Sequence, residues 1–133
     1  MGEYESPALT VDIVIKTGGG VVLVERKNDP YKGSWAIPCG FVEYGETVEE
    51  AAHREAEEET GLKVDLKGLI GVYSDPDRDP RGHVVSVCFM AEKAGGELRP
   101  ATDAADVKVF KEVPWSNLAF DHEKILKDAG VDE

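Results

Sequence analysis

The sequence predicts an α/β fold. Short β-branched segments recur between residues 9 and 113, and two stretches with helical signals, one central and one near the end, interrupt them. At 133 residues the chain is expected to be one domain, 1–133, with a core that needs no staples. No internal repeat, linker or low-complexity stretch divides it.

The elements follow in order. Residues 9–16 (LTVDIVIK) alternate apolar and polar side chains and are β-branched, so they read as a strand. A glycine turn at 18–20 leads to a second strand at 21–26 (VVLVER), giving a hairpin. Turn residues at 28–33 (NDPYKG) mark a loop, and 35–38 (WAIP) a short strand. Thr47 followed by Glu50 is a capping-box signature, and Gly61 can adopt the left-handed conformation that ends a helix, so a helix is predicted over 47–60. Strands are predicted at 66–74, 83–91 and 107–113, a turn at 114–118, and a short helix at 121–128 with Asp121 as its N-cap.

The central helix carries the chemistry. At about 100° per residue, setting Glu55 at zero places Glu59 about 40° to one side and Glu58 about 60° to the other. Val48, Ala51 and Ala52 fall on the same arc, while Glu50, His53 and Glu57 fall opposite. The three carboxylates therefore share the small, apolar face, which is the face expected to turn inward. An inward carboxylate must be paired, protonated or bound to metal. Arg54 is the local partner, and clustered hard oxygens suit Mg2+ or Mn2+. A bare E-x-x-E-E string would read as a solvated acidic helix; the fixed positions around it argue otherwise.

Residues 40–62 (GFVEYGETVEEAAHREAEEETGL) resemble the Nudix box, G-x5-E-x7-R-E-U-x-E-E-x-G-U, where U is bulky or aliphatic. Gly40, Glu46, Arg54, Glu55, Glu58, Glu59, Gly61 and Leu62 all match, with the small Ala56 at the first U. The resemblance implies a Nudix-type α/β/α sandwich with a mixed β-sheet and a metal site that hydrolyses a nucleoside diphosphate linked to another group. It implies that Glu55, Glu58 and Glu59 ligate metal, with a backbone carbonyl near Cys39 or Gly40, and that Glu46 and Arg54 orient the cluster. Mg2+ is the expected ion and Mn2+ a substitute. Water would attack a phosphorus of the diphosphate bridge, and Glu58→Gln would remove activity while keeping the fold.

Composition frames this site. The formal net charge of −12 argues against a general nucleic-acid binder, which needs a basic surface. A small anionic substrate remains compatible, because metal can screen its phosphates. Cys39 and Cys88 lie far apart without metal-type spacing, which predicts buried thiols and a reduced, cytoplasmic compartment. No signal peptide or membrane span is expected.

Two further segments bear on substrate. Residues 73–86 (YSDPDRDPRGHVVS) form a loop stiffened by proline and aspartate, in which Arg78 and Arg81 either bind phosphate or pair with neighbouring aspartates. The RDPRGH run resembles a stretch of Nudix ADP-ribose pyrophosphatases, and Pro76, fifteen residues beyond Gly61, lies near a proline associated with that specificity. By the same resemblance, the general base or an extra ligand is an acid in the region of residues 98–122 or just before it; Asp103 is the first candidate and Glu97 the second, with a turn role for Asp103 standing beside it. Phe120 either stacks on a base or ribose or anchors the last helix. His122 is expected to be structural or exposed, His53 a bystander, Trp35 and Tyr73 core or pocket-edge residues, and Trp115 packing. The resemblance makes ADP-ribose, cut to AMP and ribose 5-phosphate, the leading substrate. The alternatives are a dinucleoside polyphosphate or oxidised nucleoside triphosphate hydrolase, and a non-catalytic ADP-ribose sensor. Relatives of this kind are often homodimers, so a homodimer is compatible.

Overall fold

The computed structural model describes residues 5–132. Seven strands form one mixed sheet: β1 (Ala8–Thr17), β2 (Gly20–Arg26), β3 (Trp35–Ala36), β4 (Cys39–Phe41), β5 (Leu62–Tyr73), β6 (Val84–Gly96) and β7 (Ala104–Phe110). Helix α1 (Val48–Thr60) falls between β4 and β5, and α2 (His122–Asp128) follows β7 after a 3-10 turn at Trp115–Asn117. The sheet runs β3-β2-β1-β6-β5, with β4 added to β1 and β7 to β2. Among the described strands, β1 and β6 pair in parallel and the other strand pairs are antiparallel, while an isolated parallel bridge joins Trp35 to Leu118.

Two apolar clusters lie on opposite faces of this sheet. Val11, Ile13 and Ile15 of β1 pack with Ala51, Ala52 and Ala56 of α1. Val14 of β1, Leu23 and Cys88 pack with Ile125 and Leu126 of α2. The strand period of two sends alternate β1 residues to the two helices. The architecture is thus the expected α/β/α sandwich. It also explains why the polar members of β1 are not at the surface: Thr10 is 8% and Asp12 2% exposed, because helices cover both faces.

Local signals placed α1 closely. Thr47 accepts from the Glu50 N–H and Glu50 accepts from the Thr47 N–H, completing the capping box. Gly61 ends the helix at φ 80°, and a Cβ there would collide with the Glu97 carbonyl oxygen. The chain then enters the sheet directly, so β5 starts at Leu62 and not at the expected 66. Its partner β6 lengthens to match, with Leu62 opposite Gly96. Strand β4 has no sequence signature beyond its apolar ends, since Gly40 sits in its middle; pairing with Val11 creates it. Strand β7 begins three residues before the expected 107, in register with β2 from Ala104 opposite Arg26. Asp121 precedes α2 but makes no capping hydrogen bond. Its carboxylate is engaged by Arg78 instead.

These caps make a stability prediction. Thr47→Ala should cost about 1 kcal/mol by leaving a helix N–H without its partner. Gly61→Ala should cost more, roughly 1–3 kcal/mol, because it adds left-handed strain to a backbone collision. Urea unfolding of the two variants checks the order; an equal or smaller loss at Gly61 would contradict the cap geometry.

Candidate active site

A cleft of about 520 Å3 opens where α1, β1, β2 and β4 meet the loops before β6, β7 and α2. Glu55, Glu58, Glu59, Arg54, Cys39, Gly40, Asp103, Arg78, Arg81 and Phe120 all line it. Glu46 stands just behind it, through Arg54. Glu97 does not line the cleft, and its carbonyl oxygen lies beside Gly61 at the far end of α1. Of the two expected acids, only Asp103 faces the carboxylate cluster.

The helix carboxylates are graded in depth. Glu55 is buried at 7% exposure, Glu59 is half-buried and Glu58 is exposed at the rim. The inward arc thus holds for Glu55 and Glu59, while Glu58 lies where the helix face leaves the sheet. His53 and Glu57 are exposed, as their placement predicted. Gly40 is what lets Glu55 sit so deep: a Cβ on Gly40 would occupy the position of the Glu55 carboxylate. Glycine therefore presses the β4 backbone against a buried acid.

Arg54 organises the cluster. Its Nε and Nη2 donate to the two oxygens of Glu46 at 2.7 and 2.9 Å, a two-pronged pairing. Nη1 donates to Glu55 at 2.7 Å and to Glu58 at 3.2 Å, and Nη2 also reaches the Phe41 carbonyl at 3.0 Å. The Arg54 hydrogen bonds, with a Glu43 backbone N–H, hold the Glu46 carboxyl down to about 2. Burial pushes Glu55 the other way, above the usual carboxylate range, against the pull of Arg54. Glu59 makes no ion pair among the described residues. Burial first, then the charges of Asp103, Glu55 and Glu58, push it up to about 7.

The charge balance decides what the site can hold. Eight carboxylates line the cleft (Asp12, Glu25, Glu43, Glu55, Glu58, Glu59, Asp79 and Asp103) against five basic side chains, Arg26, Lys27, Arg54, Arg78 and Arg81. Such a donor set fits a divalent cation with oxygen ligands. Among the described residues no three His, Cys, Asp or Glu side chains are already gathered around one point. Glu55 and Glu58 are instead drawn onto Arg54.

The loop arginines differ from each other. Arg78 is buried, its side chain 6% exposed, and its Nε and Nη2 pair with both oxygens of Asp121 at 2.8 and 2.7 Å. Nη1 donates to Ser86 at 2.8 Å. Arg81 pairs with its neighbour Asp79, as composition suggested, yet half of its side chain stays exposed. Its guanidinium lies 5.6 Å from the centre of the Phe120 ring. Phe120 also packs 4.8 Å from Tyr31 and beneath the Arg26 guanidinium at 5.0 Å. Trp35, Tyr73 and Trp115 lie outside the cleft. Trp35 stacks edge-on against Phe110, and Tyr73 donates to Asp128 at 2.6 Å. Both cysteines are free, Cys88 buried and Cys39 half-buried.

The sequence did not single out Thr10, Asp12, Ser86, Arg26 or Tyr31, and of its two expectations for His122, structural or exposed, the exposed one does not hold. His122 is 2% exposed and lines the cleft. The signal available was the alternation of β1, which puts Thr10, Asp12 and Val14 on one face.

Comparison with known proteins agrees with this geometry. The NUDIX domain family model matches residues 6–129. The ADP-ribose pyrophosphatase of Methanocaldococcus jannaschii is 54% identical over 125 residues, covering 94% of this chain and 74% of that protein. The ADPR responsive transcriptional repressor NtrR of Acinetobacter baylyi is 32% identical, covering 96% of this chain and 54% of that protein. Among solved structures, the NUDIX domain of Shewanella oneidensis NrtR complexed with ADP ribose aligns with a TM-score of 0.80 at 27% identity, covering 97% of this chain and 90% of that one. A sheet sandwiched between helices, an arginine-tied carboxylate cluster behind a glycine, and these matches place the chain in the Nudix family, as a Nudix pyrophosphohydrolase.

Proposed function

We propose that the chain hydrolyses the diphosphate bridge of ADP-ribose, giving AMP and ribose 5-phosphate, with Mg2+ as the ion and Mn2+ as a substitute. The observation that carries this is the acidic cleft beside the 54% identity to an ADP-ribose pyrophosphatase. A cleft with more carboxylates than basic groups repels a diphosphate unless cations enter with it. Glu55, Glu58 and Glu59, with the backbone carbonyls of Cys39 and Gly40, are the proposed ligands. A divalent cation held there supplies charge neutralisation of the diphosphate and lowers the pKa of water.

The remaining work falls to the chain. Arg54, anchored by Glu46, keeps Glu55 and Glu58 together at the cleft, from where they would turn toward a cation. Asp103, in the turn before β7, accepts the proton of the attacking water. The water oxygen bonds to a bridge phosphorus, and the bridging oxygen leaves with the other phosphate. Arg81 and Phe120 hold the nucleoside or distal sugar at the cleft mouth. Arg78, whose charge Asp121 balances, shapes the loop more than it attracts phosphate.

A second reading, an ADP-ribose sensor without catalysis, is favoured by the 32% identity to an ADPR responsive repressor. The complete set of cluster carboxylates weighs against it, since a sensor needs no hydrolytic charge.

Three measurements bear on these readings. A hydrolysis screen with Mg2+ should rank ADP-ribose above NADH, diadenosine polyphosphates and nucleoside triphosphates by kcat/KM; another order defeats the substrate, and no turnover at all favours the sensor. Glu58→Gln should lower kcat by at least about a hundredfold with Tm retained; wild-type turnover in that variant sinks the ligand assignment. The third uses Glu59. Its folded pKa of about 7 lies above the ordinary 4.5, so the folded state holds a proton that the unfolded state has released. Stability from this group is therefore lost as pH rises from 4.5 through 7 in the absence of metal. At about pH 8, Glu59→Gln should raise the Tm of metal-free protein by a few degrees, on the order of 1 kcal/mol after solvent screening. It should also shrink the Tm gain on adding Mg2+. A Tm unchanged by Mg2+ in the wild type would count against a built metal site.

A further inference from the structure

Thr10, Asp12, Ser86 and His122, from β1, β6 and the start of α2, also line the cleft and form part of its floor. The parallel register sets Thr10 beside Ser86 and Asp12 beside Cys88. Thr10 and Ser86 share a hydrogen bond of 2.6 Å, and the Cys88 thiol donates to Asp12 Oδ2 at 3.1 Å. All four side chains are buried. Beside them, His122 Nδ1 accepts the Ile37 N–H at 2.9 Å.

That last bond fixes the tautomer. An imidazole that accepts at Nδ1 carries its hydrogen on Nε2. Burial lowers the His122 pKa, against the raising effect of Asp12, which keeps the ring neutral. His122 Nε2 and Asp12 Oδ1 have no hydrogen-bond partner among the described residues, and neither atom is sealed from solvent. Both residues are 2% exposed and both line the cleft. An open donor and an open acceptor on side chains so deeply buried face the only medium that reaches them, the cleft itself. The nearby Arg78 adds no net positive charge, because Asp121 pairs with it on two oxygens.

We propose that His122 Nε2–H and Asp12 Oδ1 form a specificity subsite for an uncharged part of the substrate that offers both an acceptor and a donor. A nucleobase edge and a sugar hydroxyl pair share this chemistry. A phosphate does not, since the Asp12 carboxylate repels it. The inference rests on the hydrolase reading above and adds where the substrate's neutral end is read.

The test uses the full chain with Mg2+ and three substrates: ADP-ribose, IDP-ribose, which replaces the adenine amino group by a carbonyl, and ADP-glucose, which changes the distal sugar. Failure of the wild type to cleave any of them defeats the hydrolase reading and is distinct from the outcomes that follow. His122→Asn keeps an acceptor for the Ile37 N–H and removes the Nε2 donor. Asp12→Asn removes the charge and keeps the shape. Each should raise KM for ADP-ribose about tenfold, with kcat changed far less. In both variants the wild-type KM penalty should shrink for one analogue: IDP-ribose if the floor reads the base, ADP-glucose if it reads the sugar. His122→Gln keeps a nitrogen donor near Nε2 and loses the Nδ1 acceptor, so recovery of KM despite a lower Tm supports the donor role. Wild-type KM in both Asn variants, unchanged penalties for both analogues, or KM losses that simply follow Tm across the three variants would overturn the subsite.

Discussion

The active-site half of this protein depends on one guanidinium. Arg54 bridges the loop before α1, the helix itself and the end of β4, through Glu46, Glu55, Glu58 and the Phe41 carbonyl. Without it Glu55 would be a buried carboxylate lying against backbone, a condition that costs several kcal/mol unless the group is protonated. The pairing is uneven in a useful way. Glu46 takes the Nε side of the fork with both oxygens, and only Nη1 turns toward Glu55 and Glu58. Arg54 thus holds the cluster in place while leaving it short of positive charge. Glu59, beyond the reach of that fork, has its pKa raised first by burial and then by the unbalanced charges of Asp103, Glu55 and Glu58.

Strand β1 divides the cleft into two chemistries. On its α1 face it packs Val11, Ile13 and Ile15 beneath the helix that bears the acids. On its α2 face it presents Thr10 and Asp12, paired across the sheet with Ser86 and Cys88. The parallel β1–β6 pairing therefore places polar groups from residues 10–12 and 86–88 side by side, although some 75 residues separate them. One strand thus separates two environments, the acid-bearing helix on one face and a buried, hydrogen-bonded set of Thr10, Asp12, Ser86 and Cys88 on the other.

This division also marks what the sequence could and could not reveal. Helix α1 was legible because its determinants are local: a capping box, a left-handed glycine and a 3.6-residue period lie within fifteen residues of one another. The depth of Glu55 was legible in direction, but the graded exposure of Glu58 depends on where the helix leaves the sheet. The cleft floor was not legible, because Asp12 in an alternating strand reads as solvent-facing until a second helix is known to cover that face. Asp121 offered a cap by its position; a buried arginine forty-three residues away outcompeted the helix N-termini for its carboxylate. Strands β4 and β7 took their bounds from partners, not from their own apolar runs.

The mouth of the cleft adds a constraint of a different kind. Tyr31 and Phe120 have φ values of 62° and 51°, the only non-glycine residues among those described with positive φ. A bulky side chain in that region carries strain of order 1–3 kcal/mol and persists only where its surroundings over-determine it. Here the two rings meet at 4.8 Å, and the Arg26 and Arg81 guanidiniums lie within 5.6 Å of the Phe120 ring. The Phe120 ring also lies 5.5 Å from the His122 ring, two residues on. The strained turn thus couples the aromatic mouth to the buried imidazole.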